Sequence, residues 1–418
     1  MEPGAVRLPL WAGRTVALLG IVLIALNMRI AVTGISPITT QIGRDIPLNS
    51  VVLGLIGAVP PIAFALMGLT AGRIARRIGL ERFQLISIGV MVAGHLLRAL
   101  APNVAVLIAG TLLALLSCGV TNVLLPPLVK RYFPDRIGLM TSVYAFIMAT
   151  GATLPALFAA PVADAAGWRV SLGTWAALAA VAAAPWLILV ARERRERAAA
   201  LVADEAALID LPEHRLAAPI WRSPLAWKLA AIVSASAFNT YVLFAWLPEI
   251  SRQQAGSSAV EAGVMLSIFA LIGAPTALIS PLIVGRARNV SWYLLLGVAL
   301  FLAGYLGLLL APAPLTWLWA SLLGVAPLLF PASLTLVNLR TRGHDGSVAL
   351  SAFSQGVGYA VGAIGPFAIG IVHDLTGGWT VPIVVMIAVS ALCVIPAIGL
   401  SRRSFLEDEL AATLPSSR

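Results

Sequence analysis

Residues 104–127 read VAVLIAGTLLALLSCGVTNVLLPP, an apolar run of 24 residues without a charged side chain. A helix needs about 20 apolar residues to cross the hydrocarbon core of a bilayer, so this stretch is long enough to span a membrane. The chain holds eleven further runs of this kind, at roughly 15–36, 50–71, 83–101, 137–160, 170–191, 226–248, 261–284, 291–311, 315–337, 348–372 and 379–400. Twelve transmembrane helices are therefore predicted.

The composition leads to the same fold class. Of the 418 residues, 60% are hydrophobic and only 11% are charged, whereas soluble domains are about 45–50% apolar and about 25% charged. A soluble fold of this size could not cover so much apolar surface. The prediction is an all-α membrane protein of the cell (inner or plasma) membrane, with the lipid bilayer as its solvent.

The longest polar stretch, 192–225, falls midway along the chain and contains the sequences RERRER and DEAALID. It divides the chain into an N-terminal six-helix half (1–191), a cytoplasmic central loop (192–225), a C-terminal six-helix half (226–400) and a cytoplasmic tail (401–418). With the N-terminus inside, 23 of the 28 Lys and Arg residues lie on the cytoplasmic side. The positive-inside rule therefore predicts that both termini are cytoplasmic.

The two halves repeat each other at an offset of 211 residues. Gly151, Pro155, Gly167 and Trp168 correspond to Gly362, Pro366, Gly378 and Trp379. A parallel repeat of six helices is the architecture of major facilitator transporters, whose halves rock about a central site.

Four stretches carry a resemblance to a known family: ALNMRIAVTGISP (25–37), GRIARRIGLER (72–82), NVLLPPLVKRYFPDRIGLMTSVY (122–144) and FAWLPEI (244–250). Together they resemble the cyanate/nitroimidazole permease branch (CynX/NimT) of the major facilitator superfamily, over nearly the whole chain. The resemblance implies a secondary active or facilitative permease for a small anionic or polar solute, cyanate-like or nitroimidazole-like. Such a permease works by alternating access between its two halves.

The resemblance also assigns a gating role to the loop after the second span. Gly72, Arg77 and Gly79 fit the superfamily motif, but Arg76 stands where the family usually has Asp. This departure puts the usual contact of that Asp in doubt. Positive-inside charges explain the basic residues of the loop equally well.

Arg29 is the leading candidate for substrate binding. It lies about 10 Å from the outer end of its span at 1.5 Å per residue, and none of the 18 acidic residues lies in the middle of a span. An arginine at this depth costs about 2.5–3.5 kcal/mol, so it needs a partner. The first helix lines the central cavity in the superfamily, so we expect Arg29 to attract an anionic solute; a structural bond to backbone carbonyls is the alternative.

Several polar side chains on other cavity helices are further candidates for substrate binding, against simple helix–helix hydrogen bonds: Asn122, Tyr144, Asn239, Tyr241, Gln355 and Tyr359. The repeat position of Arg29 is Thr240, so an asymmetric site is predicted. Arg98 is expected to have a structural or interfacial role, because it can reach the outer interface, and His95 either to be hydrogen-bonded or to carry protons.

Other classes of function find no support in the sequence. No metal-ligand spacing, nucleophile–base pair or ATP-binding P-loop occurs, so neither an enzyme nor a cofactor is predicted. The basic charge is explained by membrane orientation rather than by nucleic acid. Coupling to protons or to a counter-anion stays open, a monomer is expected, and an efflux transporter for drugs or metabolites with the same fold is the alternative function.

Overall fold

The computed structural model describes residues 14–201, 219–313, 315–342 and 344–412. Twelve helices in this part are long and apolar enough to cross a membrane. The six of the first half are α1 (Thr15–Thr33), α2 (Ser50–Ile78), α3 (Leu80–Ala99), α4 (Val104–Tyr132), α5 (Ile137–Ala166) and α6 (Trp168–Leu201). The prediction of twelve spanning helices is confirmed.

The second half repeats the pattern. Its helices are α7 (Pro224–Ala255), α8 (Ala259–Arg286), α9 (Ser291–Leu310), α10 (Thr316–Leu339), α11 (His344–Thr376) and α12 (Thr380–Gly399). Helix α10 is interrupted by a 3₁₀ turn at Ala326–Leu328, and α12 by a break at Cys393. A short helix, Leu406–Ala412, follows α12.

Local chemistry sets the helix boundaries. The side chains of Asn49 and Asn103 cap the starts of α2 and α4 by accepting backbone N–H groups. Gly79 and Gly167 are each the single residue between two helices, with φ of +92° and +89°. Such a left-handed backbone is strained for residues with a Cβ, so these glycines permit the tight reversals from α2 to α3 and from α5 to α6.

Two predicted loops differ from the structure. The segment after the second span continues α2 to Ile78, so only Gly79 connects it to α3. Likewise α6 runs to Leu201, so the first ten residues of the predicted central loop, 192–201, are helical. Arg, Ala and Glu favour helix, and a helix that leaves the membrane can continue into water. Residues 202–218 of the predicted loop and 413–418 of the predicted tail lie outside the described part.

The helices of each half pack into one bundle, and the start of α1 and the end of α12 lie at the same end of the molecule. We call this the terminal end and the other the distal end. At the distal end the two halves touch closely: a Cβ on Gly54 of α2 would stand 2.8 Å from the Pro366 carbonyl oxygen of α11.

Candidate functional site

Arg29 lies on α1 where the two halves meet. Its guanidinium carbon stands 5.7 Å from the ring centre of Phe64 on α2, in a cation–π arrangement. The guanidinium also lies close enough to the hydroxyl of Tyr241, which belongs to α7 of the other half, to interact with it electrostatically. The charge predicted on the first helix is therefore held between one aromatic group from each half.

Aromatic rings surround this charge. The ring of Tyr359 on α11 lies 6.3 Å from Phe64 and 6.4 Å from Tyr241, centre to centre. Phe330 on α10 adds a fourth ring, 6.3 Å from Tyr359. We call Phe64, Tyr241, Phe330 and Tyr359 the aromatic wall. Of the seven predicted substrate-binding residues, the structure brings together Arg29, Tyr241 and Tyr359.

The charge of Arg29 is not balanced by an acidic side chain. Within the described ranges, none of the ion pairs involves Arg29, and all of them lie near the ends of the helices. A guanidinium offers five N–H donors in a planar fork, which suits small anions and nitro or carboxylate oxygens. This arrangement can bind an electronegative solute between the halves.

Asn239 occupies a different place. It is fully buried, and its side-chain oxygen accepts hydrogen bonds from Tyr305 at 2.7 Å and from Ser390 at 3.3 Å. Its amide nitrogen donates to the carbonyl oxygen of Ala235 at 2.8 Å. These bonds tie α7 to α9 and α12 inside the second half, apart from Arg29. A role for Asn239 in substrate binding stays a prediction.

The three other predicted residues are dispersed. Asn122 is exposed on α4, four residues beyond Cys118 and thus on the same helix face. Gln355 on α11 donates to the Ser351 hydroxyl at 2.7 Å, and Tyr144 packs against the apolar cluster of the first half. The roles of these three residues in substrate binding stay predictions.

The gating stretch of the motif forms the last turns of α2. Gly72 has open space around it, Arg77 is exposed, and Gly79 ends the helix. The Arg76 side chain lies outside the described part of the structure. The proposed role of this stretch in gating is not tested by its geometry.

Contacts between the halves concentrate at the distal end. The Ser50 hydroxyl meets Nδ1 of His373 at 3.3 Å, and Arg252 donates to the Thr40 hydroxyl. Nearer the middle of the bundle, Ser267 of α8 donates to the Thr153 carbonyl oxygen of α5 at 3.4 Å.

At the terminal end, the ion pairs between described residues stay within one half. Arg14 pairs with Asp135 at 2.6 Å in the first half, and Arg342 pairs with Asp408 at 2.9 Å in the second. The halves are thus joined at the distal end and at the level of the aromatic wall.

The Arg14 guanidinium, hydrogen-bonded to Asp135, holds the pKa of that carboxyl below its ordinary value. At the distal end, Arg169 and the indole N–H of Trp168 lower the pKa of Asp45 in the same way. Both carboxylates lie outside the spans, so they stabilise helix ends and take no part in the central site.

Of the two roles predicted for Arg98, structural and interfacial, the structure supports the structural one. Its side chain is only 1% exposed, and Nη1 donates to the carbonyl oxygen of Ala31 on α1 at 3.2 Å. The side chain turns into the bundle of the first half, because the carbonyls at the end of α1 need donors. Sequence depth alone does not say which face of a helix a residue occupies.

Sequence reasoning missed Phe64 and Phe330 in the aromatic wall. Each lies in the middle of an apolar span, where an aromatic ring is ordinarily part of the packing. The one usable signal was the cation on α1, because a buried guanidinium prefers an aromatic face when no carboxylate is near.

Comparison with known proteins agrees with this fold. The Major Facilitator Superfamily profile matches residues 17–326. The "2-nitroimidazole transporter" of Escherichia coli is 32% identical over 91% of this chain and 94% of that protein. The "Cyanate transport protein CynX" of the same organism is 28% identical over 90% and 94%, respectively. An "Uncharacterized transporter YycB" of Bacillus subtilis is 30% identical over 91% of both chains.

Two solved structures share the fold. A bacterial homologue of the human lysosomal transporter Spinster, inward-facing and occupied, has a TM-score of 0.71 at 16% identity and covers 94% of this chain and 98% of its own. The D-xylose–proton symporter also has a TM-score of 0.71, at 15% identity, and covers 96% and 99%.

Proposed function

Because this chain belongs to the Major Facilitator Superfamily, in the branch of the cyanate and 2-nitroimidazole transporters, we propose that its solute is a small electronegative anion or polar molecule bound at Arg29. The chain is a multi-pass membrane transporter for a small solute. The class of solute, the way it is bound and the route of transport are the proposal.

One observation carries the proposal. Arg29 of the first half is enclosed by Phe64 and by Tyr241 of the second half, with no carboxylate paired to it in the described ranges. A charge at this depth costs about 2.5–3.5 kcal/mol on insertion scales. An anion that binds there offsets part of this free energy. In the absence of the anion, the cation–π contact with Phe64 keeps the guanidinium in place.

The binding residues come from both halves, which suits alternating access. Rocking of residues 1–191 against 226–400 would break the distal contacts, such as Ser50 with His373, and close the terminal end. The solute-binding site at Arg29 would then close to one side of the membrane and open to the other. The segment 192–225 would link the halves, and the end of α2 at Gly79 would act in gating.

Membrane placement completes the proposal. The excess of Arg and Lys at the terminal end supports an orientation in which that end, with both chain termini, faces the cytoplasm of a cell whose plasma membrane holds the protein. The chain works as a monomer, because a central site between two halves of one chain needs no second copy. Its transport is coupled to protons or to a counter-anion.

The test is transport into proteoliposomes that contain purified protein. Uptake of labelled cyanate and of 2-nitroimidazole is measured with wild type, Arg29→Lys and Arg29→Met. We expect Arg29→Met to abolish transport and Arg29→Lys to keep a fraction of it, because Lys supplies charge without the planar fork. Full transport by Arg29→Met would refute the proposal.

An efflux transporter for a planar aromatic compound is the second candidate. The four rings of the aromatic wall favour it, because stacked aromatic side chains bind flat, electron-poor rings. The two candidates differ in direction and ligand. Counterflow of 2-nitroimidazole with no cyanate transport, unaffected by Arg29→Met, would select the efflux function.

A further inference from the structure

A second group of polar side chains lies inside the first half, behind α1. Arg98 on α3 is 1% exposed, and only its Nη1 has a partner, the Ala31 carbonyl oxygen. Its Nε and Nη2 have no hydrogen-bond partner in the described part of the chain. A permanently charged group is therefore buried with most of its donors unused.

Trp175 on α6 presents another unused donor at the same place. Its side chain is buried, and its indole Nε1 has no partner among the described residues. Arg98 Nη2 and Trp175 Nε1 each lie 3.8 Å from the point where a Cβ would stand on Gly34. The two donor atoms thus lie near the same point beside Gly34, at the end of α1.

His95 adjoins this group. It lies one turn before Arg98 on α3, is fully buried, and has no partner for either ring nitrogen within the described ranges. A neutral imidazole supplies one donor and one acceptor. Arg98 and Trp175, in contrast, are donors only, so donors outnumber acceptors at this place.

We propose that Arg98 and Trp175, beside Gly34, form a second binding site for a small monovalent anion of halide size. Buried donors without acceptors are expensive, and a buried guanidinium also needs an opposite charge. A water molecule would accept hydrogen bonds but would leave the charge of Arg98 unbalanced. An anion supplies both the acceptor and the charge.

This site is distinct from the one at Arg29. Arg29 faces the aromatic wall and the other half, whereas Arg98 reaches α1 from inside the first half and binds its main chain at Ala31. The inference does not depend on the proposed function. Either site can fail without the other, and variants of Arg29 separate them.

The first experiment measures thermal unfolding of the purified protein in detergent and gluconate buffer, with bromide as the titrated probe. We expect saturable stabilisation in wild type. Trp175→Phe should raise the half-saturating bromide concentration about tenfold, the effect of one lost charge-assisted hydrogen bond. Gly34→Ala should weaken binding too, because its methyl group stands between the donors.

Two matched variants control for general effects. Gly89→Ala lies on the same helix as Arg98, and its Cβ would meet nothing within 4 Å, so it should bind bromide as wild type does. Arg29→Met should keep that part of the bromide stabilisation which Trp175→Phe removes, whatever bromide also binds at Arg29. Loss of the stabilisation in Arg29→Met, with retention in Trp175→Phe, would place the anion at Arg29 and overturn this inference.

The position of bound bromide in a crystal structure tests the proposal directly. Anomalous diffraction from crystals soaked in bromide should show a peak between Arg98 Nη2 and Trp175 Nε1 in wild type, absent in Trp175→Phe. Bromide that gives no saturable stabilisation, or no peak at this position, would contradict the proposal.

Discussion

The two halves share their helix packing but differ in their polar interiors. At the offset of 211, Leu80–Ala99 corresponds residue for residue to Ser291–Leu310. A Cβ on Gly151 would overlap the Leu26 carbonyl oxygen, and one on Gly362 would stand 3.0 Å from Ala237 Cβ. Leu26 and Ala237 are themselves 211 apart, so the repeat preserves a contact between two helices.

The side chains that carry chemistry do not repeat. Arg29 corresponds to Thr240, Arg98 to Leu309 and Trp175 to Met386. The second half instead buries Asn239, whose side-chain oxygen accepts two hydrogen bonds from neighbouring helices. The comparison shows that packing was kept in both halves, while the cationic groups belong to the first half and most of the aromatic wall to the second.

The largest expected effect is a loss of stability on substitution of Gly151, which should exceed the loss at its repeat partner Gly362. Gly151→Ala forces a methyl group onto a backbone oxygen, which cannot move aside, and should cost about 3 kcal/mol or more of stability. Gly362→Ala meets a side-chain methyl group and should cost about 1 kcal/mol. Size-exclusion chromatography of fluorescent fusions after heating measures both. Equal losses would show that the shared contact is not tighter in the first half.

Removal of the Asn239 network tests the structural part of the comparison. Asn239→Ala leaves the buried Tyr305 hydroxyl without its acceptor and should cost about 1–2 kcal/mol of stability. We expect solute affinity to change less than about twofold, because no bond of this amide reaches Arg29. Ser390→Ala, which removes one donor only, is the milder control. A large loss of affinity with unchanged melting would assign Asn239 to the binding site.

The aromatic wall should contribute to binding with a smaller energy. Tyr241→Phe keeps the ring but removes the hydroxyl next to Arg29, and should weaken solute binding about fivefold, or about 1 kcal/mol. Tyr293→Phe is a matched control, since its hydroxyl bonds Ser280 inside the second half. Equal effects of the two variants would show that the loss is general.

The smallest effect concerns the terminal ends of the halves. The lowered pKa of Asp135 means that its bond to Arg14 stabilises the first half fully above the ordinary carboxyl pKa, and that this contribution is lost as the pH falls. In the second half, Arg340 donates to the carbonyl oxygens of Leu400 and Arg402, which do not titrate.

We expect wild type to lose more stability than Asp135→Asn as the pH falls from about 6 to about 3.5. Melting temperatures across this range provide the measurement. Parallel curves for the two proteins would show that the bond contributes nothing.

The fold could be predicted almost completely, because each span carries its own length and hydropathy. The central site could be predicted only in part. Arg29 was evident from the cost of burying its charge. Tyr241 and Tyr359 were evident as polar side chains on helices that line the cavity in this family. Phe64 and Phe330 resemble packing residues in sequence, so only their position in space reveals them.

The choice between the two roles predicted for Arg98, structural and interfacial, could not be made from the sequence for a related reason. Its distance from the helix end fitted snorkelling, but its direction around α3 points inward to Ala31. Helix rotation follows from packing against neighbours, which a single sequence does not specify.

The central claim is that the charge on the first half binds the solute. Isothermal titration of cyanate, nitrate and 2-nitroimidazole into wild type and Arg29→Thr, the residue of the second half at this position, tests it most directly. The account predicts that the anions bind wild type and that Arg29→Thr binds them about 10–100-fold more weakly, the loss of a charge-assisted contact. Unchanged affinity for the anions in Arg29→Thr would contradict it.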